Sequence, residues 1–395
     1  MMAELKLSEI EWGWVMGAFP LGYALLQIPG GILGQHFGPR RLLCWIAIAW
    51  SVLIALTALL PSPTAVGASV VISLLIAIQF LVGVSHAPIF PVSAVTIERW
   101  FPRGAWSLPN GLNSSALTIG LALTASLLPW MVDRWDWRDA FWLLAPSGVL
   151  MAAVWFWLAR DRPHEHPRVS ANELALIGAR AEQDPRQSLG ASWTILRNRD
   201  VLFTTLSYSC HNFVYYIVFS WGFYYLVNQR GFAEQEAGFL TSAQWLGAGI
   251  GAAFGGWLGD FACRRMGMVW GSRWPVMIAE LSSSLLLLGV AWIPEPMIAA
   301  VLLGLCFFCN QIAEGPYWGC ITAIGGSHAG AASGVMNTGG NLMGFVNAIL
   351  LAMLAQAVGW AWALSLGAVF ALVAAALMLL VRAERVMGEH SSQGF

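Results

Sequence analysis

The feature that most constrains this chain is a succession of apolar runs separated by short polar segments. Eleven are read, at about 12–34, 40–60, 66–94, 109–132, 137–158, 201–227, 236–261, 273–293, 297–324, 330–357 and 360–382. A run of roughly 20 residues, rising about 1.5 Å per residue as a helix, crosses the ~30 Å hydrocarbon core of a bilayer. Inside lipid each backbone N–H and C=O must be satisfied within the protein, so such runs cross as helices. The chain is 58% hydrophobic and 10% charged, against about a quarter charged in soluble domains. No soluble fold can hide that much apolar surface. The reading is an all-α membrane protein with the lipid bilayer as its solvent. Many of the 22 tryptophans, such as Trp12, Trp130, Trp137 and Trp360, stand near the ends of the runs, where an indole suits the membrane interface.

With a formal net charge of −1, no strongly basic face advertises nucleic-acid binding. No His/Asp/Glu cluster stands at metal spacing and no nucleophile–base motif occurs, so neither an enzyme nor a cofactor is expected. Cys306 and Cys309 have redox-motif spacing but lie inside an apolar run, where packing is the better reading. The acidic start, with Glu4, Glu9 and Glu11 against Lys6, is unlike a signal peptide.

The 159–200 segment is polar. Within it Ser170-Ala171-Asn172-Glu173 has capping-box spacing and predicts a short surface helix. The expected organisation is a transmembrane bundle over 1–158, a linker over 159–200, a second bundle over 201–383 and a disordered tail over 384–395. Of the 20 Lys and Arg residues, all but Lys6, Arg134, Arg138 and Arg230 fall on one side of this topology. That side should be cytoplasmic, which places the linker and C-terminus inside.

The chain also repeats itself. Leu21-Gly22, Gly30-Gly31, Leu33 and Gly34 recur as Leu246-Gly247, Gly255-Gly256, Leu258 and Gly259, and Asn113 and Gly120 recur as Asn337 and Gly344. Tandem halves joined by a loop are a transporter architecture. A full run, 201–227, precedes the second copy, whereas about eleven residues precede the first. The first half is therefore expected to lack an opening helix, leaving five spans and six.

The run from Gly30 to Arg41, GGILGQHFGPRR, resembles the loop signature of the major facilitator superfamily. Gln27-Ile28-Pro29-Gly30-Gly31, Arg99-Trp100-Phe101-Pro102, Trp137-Arg138 with Ala140-Phe141, and Asn337 with Gly340-Asn341-Leu342 and Gly344 resemble its anion:cation symporter branch. The resemblance implies two bundles around a central cavity, alternating access and proton-coupled movement of organic acids, in a monomer of the plasma or bacterial inner membrane. It also implies a Tyr-Asp-Arg cluster on the helix missing here. Where the branch shows an acidic loop residue, an Arg and a Glu, this chain has Gln35, Gln79 and His86.

Intramembrane polar residues mark candidate sites, because lipid makes them costly. His86, about eleven residues from the arginine-rich end of its span, sits near mid-bilayer and could shuttle a proton. Glu314, mid-span in Asn310-Gln311-Ile312-Ala313-Glu314, could bind a cation or a proton. Its structural alternative is a pair with His86. Glu280 reads as a snorkelling or interhelical contact. Tyr23 matches a substrate-facing tyrosine implied by the resemblance. Asn212, Tyr216 and Trp221 suit polar solutes. Asn113, Asn337 and Asn341 lie on Gly-rich helices, where cavity lining and helix glue compete. Gating falls to Gly31, Gln35 and Arg40 in the first signature and to Asp260 in the second, the last paired with Arg264 or Arg265. The expected function is a proton-coupled secondary transporter of a small organic solute. The alternative is a transporter-derived protein without transport.

Overall fold

The computed structural model describes residues 9–177 and 193–383. The first residues and the tail 384–395, expected to be disordered, lie outside the described residues. The first part holds α1 (Glu9–Phe37), α2 (Pro39–Ala58), α3 (Ala68–His86), α4 (Ile89–Trp100), α5 (Ser107–Arg134) and α6 (Trp137–Leu158). α3 and α4 form one crossing, interrupted at Ala87 and Pro88, because proline supplies no N–H to the ladder. α7 (Ala171–Ile177) is the short linker helix. Its capping box closes as the sequence predicts: Glu173 Oε2 accepts from the Ser170 N–H at 2.7 Å and the Glu173 N–H donates to Ser170 Oγ at 3.3 Å.

The second part holds α8 (Arg199–Tyr216), α9 (Glu234–Trp292), α10 (Pro296–Ile312), α11 (Glu314–Gly325), α12 (Ala329–Val358) and α13 (Trp360–Met378). α8 begins on Asn198, whose side chain accepts from the N–H groups of Asp200 and Val201. It continues through π-helical turns at Ile217–Trp221 and Tyr225–Gln229, a form that concentrates at functional sites. α9 is 59 residues long, well over twice what one bilayer crossing needs. Gly267, with φ 76°, breaks it into two crossings, and only glycine adopts that backbone without cost. α10 and α11 form a single crossing. The described helices thus cross eleven times, five before α7 and six after it, as two bundles.

Six helical stretches are apolar and long enough to span a membrane, among them Pro39–Ala58, Ala68–Trp100 and Trp137–Leu158. α1, α5 and α8 have the length to cross as well. Each of the three meets the centre of the molecule. α1 packs on α12, α5 on α9 and α11, and α8 on α12. Outward, side chains such as Leu150, Trp157, Phe239 and Leu285 are left exposed, as lipid-facing residues are.

The internal repeat is realised in the packing. A Cβ on Gly30 would strike Pro88, and one on its repeat partner Gly255 would strike the Ile312 backbone. Next to them, Gly31 lies against the Gly330 backbone and Gly256 against that of Ser107. These last two contacts join one bundle to the other. Both lie toward the end of the molecule that carries the arginine-rich loops.

Candidate functional site

The buried polar groups concentrate in the second bundle. Three helices each bring one ionisable residue to a single point: α8 brings His211, α9 Glu280 and α11 Glu314. His211 and Glu280 are fully buried, and Glu314 nearly so. Glu280 is mid-membrane because its crossing begins just after Gly267, earlier than the apolar run suggests. It cannot snorkel. His211 Nδ1 lies 2.6 Å from Glu280 Oε1, and Nε2 lies 3.2 Å from Glu314 Oε2. The imidazole therefore stands between two carboxylates. Asn310 Nδ2 on α10 lies 3.0 Å from the same Nδ1.

Glu314 is held from its other side as well. Its Oε1 accepts from Tyr208 OH at 3.0 Å and from Trp318 Nε1 at 2.8 Å. The Trp318 bond spans one helical turn, since Glu314 and Trp318 are i and i+4 on α11. The Tyr208 ring stacks on His211 at 5.5 Å. Below them Ser207 gives its hydrogen to the Ala374 carbonyl at 2.8 Å and accepts from Tyr317 OH at 2.6 Å. Lone ionised groups are expensive at this depth, and mutual pairing offsets the cost.

A second polar chain crosses between the bundles. Asn337 Nδ2 on α12 donates to Tyr23 OH on α1 at 3.4 Å. Asn341 Nδ2 donates to the Asn337 carbonyl at 2.8 Å, and Tyr216 OH donates to Asn341 Oδ1 at 2.9 Å. Gly344 lets the Tyr216 ring approach, since a Cβ there would meet that ring at 2.3 Å. Tyr23 and Tyr215 both lie close enough to Glu314 to feel its charge. Around Tyr216 stand Tyr215, Phe219 and Trp245 in mutual edge and stacked contacts. The chain and the carboxylate cluster thus border the same central region.

Other sequence candidates fall elsewhere. His86 does not meet Glu314. Its Nδ1 lies 2.8 Å from the Val82 carbonyl of its own helix, and its ring sits edge-on to Phe19 and Trp50 in the first bundle. Asn212 donates to the Tyr208 carbonyl at 2.9 Å and packs beside Gly340. Asn113 is half-buried on α5. Trp221 joins Tyr224 and Trp360 in an aromatic group at the far end of the second bundle. Its Nε1 is buried without a partner. Cys306 donates weakly to the Ser283 carbonyl at 3.4 Å, a packing role.

The gating candidates separate in the same way. Asp260 is held by neither Arg264 nor Arg265. Its carboxylate accepts from the N–H groups of Ser107 at 2.8 Å and Leu108 at 3.1 Å, at the start of α5 in the other bundle. An anion suits a helix N-terminus, where those N–H groups lack helical partners. Arg264 is exposed and acts on Asp260 only at longer range. Arg265 lies over the Phe261 ring. Gln35, the repeat partner of Asp260, donates to the Ser327 carbonyl just before α12, and Arg99 donates to the Gln35 carbonyl at 3.1 Å. Arg40 stays within its own bundle, against the Phe156 carbonyl and ring.

Sequence reading missed His211. Part of the signal was present: Glu314, a mid-span carboxylate, needs a cationic or donor partner, and His211 is the mid-span histidine of its half.

The family model described as the Major Facilitator Superfamily matches residues 1–348. A probable sulfoacetate transporter of Cupriavidus necator is 28% identical over 359 residues, covering 90% of this chain and 81% of the relative. A D-galactonate transporter of Escherichia coli is 27% identical over 393 residues, covering 96% and 88%. A probable galactarate/D-glucarate transporter of Bacillus subtilis is 27% identical over 371 residues, covering 90% and 80%. The Escherichia coli fucose:proton symporter has the same fold, with a TM-score of 0.69 at 16% identity over 96% of this chain and 93% of that one. A proton:xylose symporter aligns with a TM-score of 0.74 at 15% identity over 96% and 88%.

Proposed function

The chain belongs to the Major Facilitator Superfamily, and on that premise we propose that it is a proton-coupled secondary transporter of a small organic acid working by alternating access. It is a membrane protein of a transporter family. The acid is inferred from the sulfoacetate, D-galactonate and galactarate/D-glucarate carriers among its relatives. The observation that carries the reading is the polar chain from Tyr23 through Asn337 and Asn341 to Tyr216, which crosses the bundle interface beside Glu314. A solute that replaces those bonds touches both bundles at once, which lets its binding bias their relative position.

The closed end fits the same scheme. Gly31 against Gly330, Gly256 against Ser107, and Asp260 on the start of α5 hold the bundles together at the arginine-rich end. We assign that end to the cytoplasm on its loop charge, which places the linker and C-terminus inside and the protein in the plasma or bacterial inner membrane. Tyr23, Asn337, Asn341 and Tyr216 are assigned to the solute, with Tyr215, Phe219 and Trp245 as an apolar platform beside them. Gly31, Gln35 and Asp260 are assigned to the gate.

The test is uptake of D-galactonate, D-glucarate and sulfoacetate into proteoliposomes, with and without an inward proton gradient. Gradient-dependent uptake of at least one supports the reading. Neither uptake nor exchange of any of the three would favour a transporter-derived protein that no longer transports.

A further inference from the structure

Two carboxylates flank one imidazole in the second bundle, and the solute-binding role above uses neither His211 nor Glu280. A nitrogen facing a carboxylate oxygen forms a hydrogen bond only when a proton lies between them. His211 has such a contact on each side, 2.6 Å to Glu280 Oε1 and 3.2 Å to Glu314 Oε2. The cluster therefore holds two shared protons, and then carries one net negative charge. A third proton makes it neutral.

The burial is graded. The Glu280 side chain is 0% exposed and the Glu314 side chain 11%. Glu280 Oε2 is buried without a hydrogen-bond partner. Both oxygens of Glu314 are engaged, one by Tyr208 and Trp318 and the other by the ring. One carboxylate thus keeps some exposure, and the other has spare acceptor capacity but no exposure.

We propose that His211 relays a proton between Glu314, the partly exposed port, and Glu280, the buried store. In the step, the O–H bond at Glu314 Oε2 breaks as N–H forms at Nε2, while the Nδ1–H bond breaks as O–H forms on Glu280. The imidazole exchanges one tautomer for the other, and the cluster's charge is unchanged. A second proton arriving at Glu314 then makes the cluster neutral. Tyr208 OH, which can donate or accept, can turn to admit it. The other titratable groups facing the triad are Cys210 on α8, Cys306 on α10 and Tyr317 on α11 around Glu280, and Tyr23 and Tyr215 around Glu314. All are hydroxyls or thiols that carry no charge near neutral pH, so the triad alone sets the local charge. While ionised it repels an acid's carboxylate, and once loaded it does not. The acid and the proton are thereby made to bind together.

This assignment rests on the transport reading for its role in uptake, and two measurements separate the two. The first uses the full chain in proteoliposomes with D-galactonate as the probe. Glu280→Gln should lower gradient-driven uptake about a hundredfold, the low end of what a positioned proton-transfer group contributes, and lower solute exchange at equal pH far less. Equal losses in both, or gradient-driven uptake at the wild-type level, would overturn the relay. Absence of both uptake and exchange in the wild type would instead count against the transport reading. The second measurement does not need transport. In nitrogen-labelled full chain in lipid nanodiscs, both His211 ring nitrogens should report hydrogen-bonded protons, with a pH-dependent step that Glu280→Gln shifts or removes. A His211 signal indifferent to pH, or the same step in Glu280→Gln, would overturn the relay whatever is transported.

Discussion

The two halves of this molecule share a packing plan and differ in what they put inside it. Gly30 and Gly255 each seat a neighbouring helix of their own bundle, and Gly31 and Gly256 each meet the opposite bundle. The interiors diverge. The second half gathers His211, Glu280 and Glu314 at one point. The first half has His86, turned back on its own helix. Gly344 packs on the Tyr216 ring, while a Cβ on its counterpart Gly120 would meet nothing within 4 Å. A shared backbone scaffold therefore constrains the gate in both halves and leaves the charge chemistry to one of them.

The shared gate is the first thing to break. Gly31→Val places a branched side chain where the Gly330 backbone lies, and the bundles cannot meet there. Overpacking of this kind costs about 1–3 kcal/mol, a shift of roughly 5–150-fold in the closed population. Cysteine accessibility at the arginine-rich end should rise, and uptake should fall by a similar factor. Gly256→Val should do the same from the other half. If only one of the two opens the gate, the halves do not share it.

The polar points of the gate should respond unequally. Asp260→Ala removes two acceptors at the start of α5, worth about 1 kcal/mol as a lost cap, and should loosen the closed end by about fivefold in the same accessibility assay. Gln35→Glu replaces a donor to the Ser327 carbonyl by an acceptor that faces it. It should loosen the gate although it restores a carboxylate at the repeat position. A tighter gate in Gln35→Glu would mean that the two positions act alike.

The smallest effect should come from the linker. Glu173→Ala removes the capping-box carboxylate and should speed hydrogen exchange of the 171–177 amides with little change in uptake. Hydrogen bonds from the Ser170 N–H and hydroxyl hold the Glu173 carboxyl below its ordinary value. A depressed carboxyl stabilises above its unfolded value and loses that contribution as pH falls through its folded one. Protection of these amides, taken relative to the intrinsic exchange rate at each pH, should therefore fall on acidification in the wild type and change less in Glu173→Ala.

Much of this fold was legible in the sequence because lipid permits few alternatives. Apolar length marks the crossings, and the glycine repeat marks the closest bundle contacts. The capping box at Ser170 and Glu173 is local chemistry and reads directly. What could not be read was partner choice. Sequence alone offers Glu314 a pair with His86 only as its structural alternative and cannot name another partner, since spacing along the chain says nothing about which helices adjoin. Asp260 has two arginines nearby in sequence, yet α5 comes close enough through Gly256 and Gly259 to offer its free N–H groups instead. Of the two readings of Glu280, snorkelling or an interhelical contact, the structure shows the second, on His211, because its helix begins within the polar stretch at Gly267.

The measurement that bears most directly on the asymmetry is gradient-driven uptake of D-galactonate in proteoliposomes carrying His211→Gln or His86→Gln. His211→Gln should lose about a hundredfold or more of the gradient-driven rate, whereas His86→Gln should lose a few-fold and keep its dependence on the gradient. Uptake that survives in His211→Gln and loses its gradient dependence in His86→Gln would put the proton in the first half and contradict the assignment.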